Sequence, residues 1–339
     1  MLTTFSSAAK LALVLLAGHH NASQLGEREA AAWKVIQPET VVLRDGNYVA
    51  GRAALIDSKG YFIAHRTSVP AGVLQGQTSD GKTFKLVRAA VDEPSGMVLL
   101  IAQNWTQQGH AAVQVPEDGM EAGTPLMAVN AGGPIPSEFV SSNRFGVLSP
   151  SQRMVPLVEV KFESSSQLVG GALLFTYDGR FMGALNATLD ARSDDSLPAE
   201  SLTLQPKNVL KAARRVPQNN FGPNQLTVAY TVGLNSLRAV IEGFKTPTHE
   251  VWRPQLGVFC KDAEGGGAFV ESVIPNSPAE ASGIRAGDVI FQVAQAAIHT
   301  KVDFAKAMLQ QTAGAEISVG FLRHGETMVV KVILGKSKD

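Results

Sequence analysis

Short apolar runs separated by turn residues dominate the chain from Thr40 onwards. Asp45-Gly46-Asn47 and Ser58-Lys59-Gly60 are turn sequences between such runs. This spacing predicts consecutive β-strands joined by tight turns, as in a barrel or sandwich. The predicted strands of this first half are 40–43, 49–56, 61–64, 84–90 and 97–102.

The same pattern of short apolar runs and turn residues recurs between about residues 120 and 190. Tyr177-Asp178-Gly179-Arg180 places Asp-Gly at the centre of a predicted hairpin. The chain therefore contains two all-β halves in series. The predicted strands of the second half are 125–129, 139–148, 155–162, 172–176 and 181–187.

Helical patterns flank these halves. Residues 19–36 are compatible with a helix, and 236–244 has Leu237, Val240 and Phe244 at helical spacing, with Ser236 as the predicted N-cap. Between the second β half and the helix at 236–244, residues 189–225 are polar apart from a short helix predicted at 207–215. Residues 245–249 read as a linker.

The last 90 residues alternate strands and short helices. Ser277-Pro278 predicts an N-cap followed by Pro at the first helical position, and Gly283 ends that helix. Thr300 and Asp303 form a capping-box variant that opens a helix running to Gln311. Strands are predicted around 268–274, 289–293, 317–321 and 328–334.

Composition narrows the class of protein. Apolar residues make up 45% of the chain and charged residues 18%, which is typical of a folded globular protein. The formal net charge of +0 argues against a nucleic-acid binder. The single cysteine, Cys260, forms neither an internal disulfide nor a Cys-based zinc site, and we expect a buried inert thiol. No metal site or cofactor is predicted.

The N-terminal segment, residues 1–34, contains an apolar run from Leu11 to Gly18 after Lys10. It resembles the hydrophobic region of a signal peptide, although the cleavage signature is poor, and a helix of the mature protein is the alternative. On the basis of residues 10–22, we predict that the protein is periplasmic or otherwise exported.

Residues 267–290 (GAFVESVIPNSPAEASGIRAGDVI) are very similar to PDZ domains of the HtrA/DegP type. The resemblance implies a PDZ domain at 251–337, with Gln255, Leu256, Gly257, Val258 and Phe259 in the carboxylate-binding loop and first groove strand. Backbone amides near Gly257 would bind a terminal carboxylate. Phe304 and Met308 would line the pocket for the ligand's side chain. The alternative is that these two residues only pack in the core of the domain.

Residues 35–190 resemble the trypsin-like double β-barrel of the same family. Residues 51–64 (GRAALIDSKGYFIA) are similar to the family's pattern before the catalytic His, which falls on Thr67 here. The catalytic Asp falls on Gly96 and the nucleophile on Val169. The resemblance therefore implies a protease fold whose three triad positions are replaced, because none of these side chains can act as base, carboxylate or nucleophile.

A displaced triad is the alternative at this site. His65 lies two residues from the expected base, Asp92 four residues before Gly96, and Ser164, Ser165 and Ser166 just upstream of Val169. Such a site needs three coordinated shifts and an oxyanion hole.

The predicted fold is mainly β: a double six-stranded barrel at 35–190, a loop, returning strand and connector helix at 191–250, and an α+β PDZ domain at 251–337. We expect a pseudoprotease that binds peptides or protein C-termini as a scaffold, chaperone or assembly partner. The alternatives are an active HtrA-type serine endopeptidase with a displaced site, and a structural subunit of a cell-envelope complex. Expected partners include an active homologue in a homo- or hetero-oligomer, and no nucleic acid.

Overall fold

The computed structural model describes residues 25–106, 112–148, 153–163, 171–185, 189–190, 202–204 and 226–338. The chain divides into two compact units, with the boundary between His249 and Glu250. The predicted signal-peptide run, Val169, the serines at 164–166 and the helix predicted at 207–215 lie outside the described residues.

The first described element is helix α1, Glu27–Ile36, which continues into a 3-10 turn at Gln37–Glu39. Its apolar stripe buries Ala32, Trp33 and Ile36. The Arg52 guanidinium lies 5.1 Å from the Trp33 ring centre, so the helix is anchored on the following strands.

The first half of unit one is a closed six-stranded barrel, in the order β1-β2-β3-β6-β5-β4. Strand β3 is buried on both faces: Phe62 and Ala64 belong to the barrel core, while Ile63 and His65 alternate with them on the other face. His65 is therefore carried to the end of a buried strand. The strands are β1 Thr40–Asp45, β2 Tyr48–Asp57, β3 Tyr61–His65, β4 Gln75–Gln77, β5 Thr83–Asp92 and β6 Met97–Ala102.

The second half of unit one is an eight-stranded sheet in the described residues. Its path runs β11-β10-β7-β8-β13-β12, and β9 pairs with both β8 and β14. The predicted hairpin is present: the Thr176 amide donates to the Arg180 carbonyl (2.9 Å), and Gly179 takes a φ of +88°. The strands are β7 Pro125–Asn130, β8 Gly133–Leu148, β9 Arg153–Glu163, β10 Leu173–Thr176, β11 Phe181–Ala184, β12 Leu189–Asp190, β13 Leu202–Leu204 and β14 Leu226–Val232.

Helix α2, Leu234–Lys245, follows β14. Leu237, Val240, Ile241 and Phe244 are buried, as their helical spacing predicts. The prediction of Ser236 as N-cap is wrong, because the helix begins earlier. Its N-cap is Gly233, whose amide donates to the Pro156 carbonyl (2.7 Å), and the buried Leu234 occupies the first turn.

Unit two contains a sheet in the order β16-β17-β18-β20-β21, with the short β19 beside β18, and a separate pair β15-β22. Its core is formed by apolar residues of these strands and helices, such as Ile290, Val319 and Phe321. The elements are β15 Arg253–Gln255, β16 Val258–Asp262, β17 Ala268–Val273, α3 Pro278–Ala281, β18 Val289–Val293, β19 Ala296–Ala297, α4 Lys301–Leu309, β20 Glu316–Arg323, β21 Glu326–Ile333 and β22 Gly335–Ser337.

Both predicted helix caps of unit two are present. The Glu280 amide donates to the Ser277 hydroxyl, and Thr300 and Asp303 form a reciprocal capping box. The predicted mainly β class is confirmed, with a closed barrel in the first unit and an α+β second unit. In the described part of the chain, no helix is long and apolar enough to cross a membrane.

Candidate functional site

The turn after β3 carries the position that the sequence assigns to the catalytic base. A 3-10 turn, Arg66–Ser68, follows His65 and exposes Thr67. The Thr67 hydroxyl lies 2.8 Å from His65 Nδ1. An alcohol thus stands where the family's pattern has an imidazole.

His65 is buried. Its side chain is 1% exposed, and Nε2 has no hydrogen-bond partner among the described residues. Burial, and secondarily the charge of Arg66, lowers the pKa of His65 to about 4. His65 is therefore neutral near pH 7, because burial penalises the imidazolium.

Gly96 lies directly against this imidazole. A Cβ at position 96 would fall 2.5 Å from His65 Nε2, and the backbone has a φ of +69°, where side chains are strained. The Gly96 carbonyl accepts the Arg66 amide at 2.8 Å. The space for a carboxylate side chain at this position is filled by the ring of His65.

The segment that follows the nucleophile position meets the same turn. A Cβ on Gly171 would fall 2.5 Å from both Thr67 Oγ1 and Ser68 Oγ, and the Ser68 hydroxyl donates to the Gly171 carbonyl at 3.0 Å. The structure therefore brings Thr67, Gly96 and the 171 segment into one neighbourhood. Val169 itself lies outside the described residues.

The residues of the displaced-triad alternative are placed as follows. The buried Asp92 carboxylate accepts the Ser95 hydroxyl and, at 3.1 Å, the Ser95 amide. His65 offers Nδ1 to Thr67 and leaves Nε2 without a partner. Among the described residues, no hydrogen bond joins His65 to Asp92, and Ser164–Ser166 lie outside this part of the chain.

In unit two, a sheet edge and a helix lie side by side, as a peptide-binding groove would require. Strand β16 ends the sheet and pairs with β17 alone, so its other edge is free. Val258, Cys260 and Phe304 are partly buried and pack against the core, while Met308 belongs to that core at 8% exposure. The predicted pocket residues Phe304 and Met308 thus lie on α4, which packs beside β16.

The loop entering β16 is the predicted carboxylate-binding loop. Gly257 takes a φ of +90°, and the carbonyls of Leu256 and Gly257 accept the amides of Ala279 and Ile274, both at 2.9 Å. Within the described chain, the amides of Leu256 and Gly257 donate to no main-chain acceptor. Such consecutive free amides can bind a carboxylate. Gln255 and Phe259 flank them on β15 and β16.

Gly257 is also required by close packing. A Cβ there would fall 2.2 Å from Ser277 Cβ, at the start of α3. This contact was not predicted from the sequence, although the Leu-Gly pair and the Ser277 cap were each recognised. The two become neighbours only through the fold.

Cys260 is half-buried on the groove side of β16, which differs from the fully buried thiol expected. Burial, followed by the charge of Glu271, raises its pKa to about 12, so the thiol stays protonated and weakly nucleophilic. In the part of the chain that is described, no three His, Cys, Asp or Glu side chains converge as a metal site would require.

Comparison with known proteins agrees with this geometry. A family model described as PDZ domain matches residues 254–334. The chain is 26% identical over 299 residues to the periplasmic serine endoprotease DegP of Salmonella typhimurium, covering 85% of this chain and 57% of that protein. It is 23% identical over 288 residues to the serine protease Do-like HtrA of Lactococcus lactis, covering 76% of this chain and 63% of that protein.

A solved structure described as the HtrA-type protease AlgW with decapeptide has the same fold. It superimposes with a TM-score of 0.61 at 14% identity, covering 91% of this chain and 98% of that one. Fold and groove thus define a trypsin-like protein with a C-terminal PDZ domain. In sequence the chain is similar to serine proteases of the HtrA/DegP type, and it spans about three fifths of the two relatives' lengths.

Proposed function

We propose that this chain is a non-catalytic HtrA-like protein that binds peptides or protein C-termini through its PDZ domain. In this role it acts as a scaffold, chaperone or assembly partner. The observation that supports the proposal is that His65 contacts Thr67 and fills the space in which a side chain at Gly96 would lie, at the two positions that the sequence resemblance assigns to the base and the carboxylate.

The chemistry of these groups supports the absence of peptidase activity. Serine proteolysis needs a base that can accept the nucleophile's proton and a carboxylate that orients the base. Thr67 is not basic near pH 7, and Gly96 has no side chain. His65, at 1% exposure, is buried from solvent.

Peptide binding is supported by the open edge of β16 and the free amides of the Leu256–Gly257 loop. An extended peptide can add to this edge as a further strand, and its terminal carboxylate can accept from the loop. One HtrA-type structure with the same fold is described with a decapeptide. A C-terminal peptide is the ligand that best matches these features.

Location and partners belong to the same proposal. One relative is named a periplasmic endoprotease, which favours an exported protein. Its partners would be proteins with accessible C-termini, including an active homologue, in a homo- or hetero-oligomer.

Two measurements on the full chain test the proposal. Incubation with a serine-directed fluorophosphonate probe should label no serine, and fluorogenic casein should show no turnover. Stoichiometric labelling together with casein turnover would establish the active-protease alternative. A variant with Ser164, Ser165 and Ser166 all changed to Ala then identifies whether these serines react.

Binding is measured by fluorescence polarisation with a library of free-acid peptides and their C-terminally amidated forms. Loss of the carboxylate should weaken binding roughly 10- to 100-fold, since hydrogen bonds to a charged group contribute about 1.5–3 kcal/mol each. Equal affinity for both forms, or no binding by any peptide, would contradict C-terminal recognition. A partner of fixed stoichiometry that persists after the groove is blocked would favour the structural-subunit alternative.

A further inference from the structure

The face of β16 that points away from α4 is exposed and presents an aromatic ring and a lysine. Phe259 is 46% exposed, and the neighbouring Lys261 places its ammonium 5.1 Å from the centre of the Phe269 ring on β17. Lys261 also lies 3.5 Å from Glu271. We call Phe259, Lys261, Phe269 and Glu271 the outer face.

The hydrogen-bond pattern fixes which groups of β16 face its open edge. The Gly257 carbonyl accepts the Ile274 amide, so this carbonyl is directed towards β17. Since main-chain groups alternate along a strand, those of Val258 and Cys260 point to the open edge. The β-bulge between Phe259 and Cys260 inserts its extra residue in β17, because Phe259 pairs with Ser272 and Cys260 with Val270. The alternation along β16 is therefore preserved.

An antiparallel peptide on this edge has a defined register. If its carboxylate accepts from the amides near Gly257, its last residue lies beside Val258 and its third-last beside Cys260, both on the α4 side. Its penultimate residue then lies beside Phe259 and its fourth-last beside Lys261. Directly opposed side chains in antiparallel strands are close enough to interact.

We propose that the outer face selects protein C-termini with an apolar penultimate residue and an acidic fourth-last residue. Phe259 supplies the apolar contact and Lys261 the charge. This inference rests on the proposed function, and it names the class of ligand for the same groove.

The charges around Lys261 allow a ligand carboxylate to pair with it in place of Glu271. Its pair with Glu271 is exposed on both sides, at 59% and 49%, and such pairs contribute little. The neighbouring Asp262 carboxylate is already engaged, because it accepts the Lys301 amide at 2.7 Å. A ligand carboxylate opposite Lys261 can therefore replace Glu271 as its partner.

The test uses the full chain and pairs of fluorescent peptides that differ only at the fourth-last residue, Glu or Lys. The wild type should prefer Glu by about 2- to 5-fold at low salt, the range of an exposed ion pair. Lys261→Glu should reverse the preference. Lys331→Glu is the control, since Lys331 is likewise an exposed strand lysine paired with a glutamate, Glu316, and it should leave the preference unchanged.

A second variant separates the two contacts. Phe259→Ser should remove discrimination between Leu and Ser at the penultimate position while leaving the Glu-over-Lys preference. If the wild type binds free-acid peptides with no preference at the fourth-last residue, or if Lys261→Glu keeps the wild-type preference, this inference is wrong and the proposed function stands. If the wild type binds no free-acid peptide, the proposed function itself fails.

Discussion

The imidazole of His65 occupies the position into which a side chain at Gly96 would project. Gly96 also has a φ of +69°, so a β-carbon there meets both steric contact and backbone strain. A Gly96→Asp substitution by itself therefore cannot place a carboxylate beside residue 67. Restoring a triad would require a smaller residue at 65 as well as changes at 67, 96 and 169.

The buried His65 makes stability depend on pH. Its pKa falls from the ordinary value of 6.5 to about 4 in the folded state. Below pH 6.5, His65 becomes protonated in the unfolded chain but stays neutral in the folded chain. The contribution of His65 to the free energy of unfolding is therefore fully present above pH 6.5 and declines towards pH 4. The loss amounts to about 3 kcal/mol for a shift of this size.

Urea denaturation of the wild type and of His65→Gln between pH 4 and pH 7 measures this loss. The difference in unfolding free energy between the two proteins should change by about 3 kcal/mol over the window. Burial raises the pKa of Glu39 to about 7, an effect of opposite sign that is common to both proteins and cancels in the difference. A difference independent of pH would show that His65 does not titrate in this way.

At the scale of elements, local signals predicted the strands and most caps. Met97–Ala102 has the predicted bounds, and the Ser277 and Thr300 caps formed as expected, because turn and cap chemistry is local. Ser236 failed as a cap since the burial of Leu234 in the second sheet's core extends the helix backwards.

The sequence predicted which residues belong to the candidate sites, but it did not predict which residues contact them. A family pattern placed Thr67 and Gly96 at triad positions, yet only the fold reveals that His65 fills the space beside Gly96. The approach of Ser277 to Gly257 and the bond from Lys301 to Asp262 likewise join residues distant in sequence. Apolar periodicity and turn motifs carry no information about such pairs.

Gly257 should be intolerant of substitution. Gly257→Ala introduces a Cβ at 2.2 Å from Ser277 Cβ, on a backbone with a φ of +90°. We expect the loop to shift and its amides to lose the carboxylate, with at least the roughly 10-fold loss of one charged hydrogen bond. Polarisation with a free-acid peptide measures this effect. Gly265→Ala, with open space around its Cβ, is the control. Unchanged affinity in Gly257→Ala would contradict the assignment of this loop.

Asp262 joins the two walls of the groove. Its Oδ1 accepts the amide of Lys301, the first residue of α4, at 2.7 Å. Asp262→Ala should loosen the spacing between β16 and α4 and weaken peptide binding roughly 2- to 10-fold, the range of one net hydrogen bond.

The conservative variant Asp262→Asn retains an acceptor oxygen and should recover most of that affinity. Thr300→Ala removes a cap of the same helix while leaving the bond between strand and helix. Its effect on the melting temperature therefore measures helix stability separately. If Asp262→Asn binds as weakly as Asp262→Ala, the side chain acts through its charge rather than as a link between the walls.

At the scale of the molecule, the apolar cores formed by the described residues have no residue in common. The barrel core contains Phe62, the second sheet's core contains Leu174, and the core of unit two contains Phe321, and none of these clusters includes a residue from another. The proposed peptide groove and the positions that the sequence assigns to the triad thus lie in units with their own cores. A fold of this kind allows loss of chemistry in one unit without loss of recognition in the other.

Calorimetry of two core variants tests whether these cores act separately. Phe321→Ala, at a side chain with 0% exposure, should cost about 3–5 kcal/mol, a large share of the about 5–15 kcal/mol that stabilises a domain. We expect it to lower one thermal transition and abolish peptide binding near 37 °C. Phe62→Ala, at 1% exposure, should lower a different transition and leave peptide affinity near the wild-type value at 25 °C. Equal shifts of a single transition in both variants would show that the two units unfold cooperatively, and the substituted barrel would then be a stabilising partner of the peptide groove.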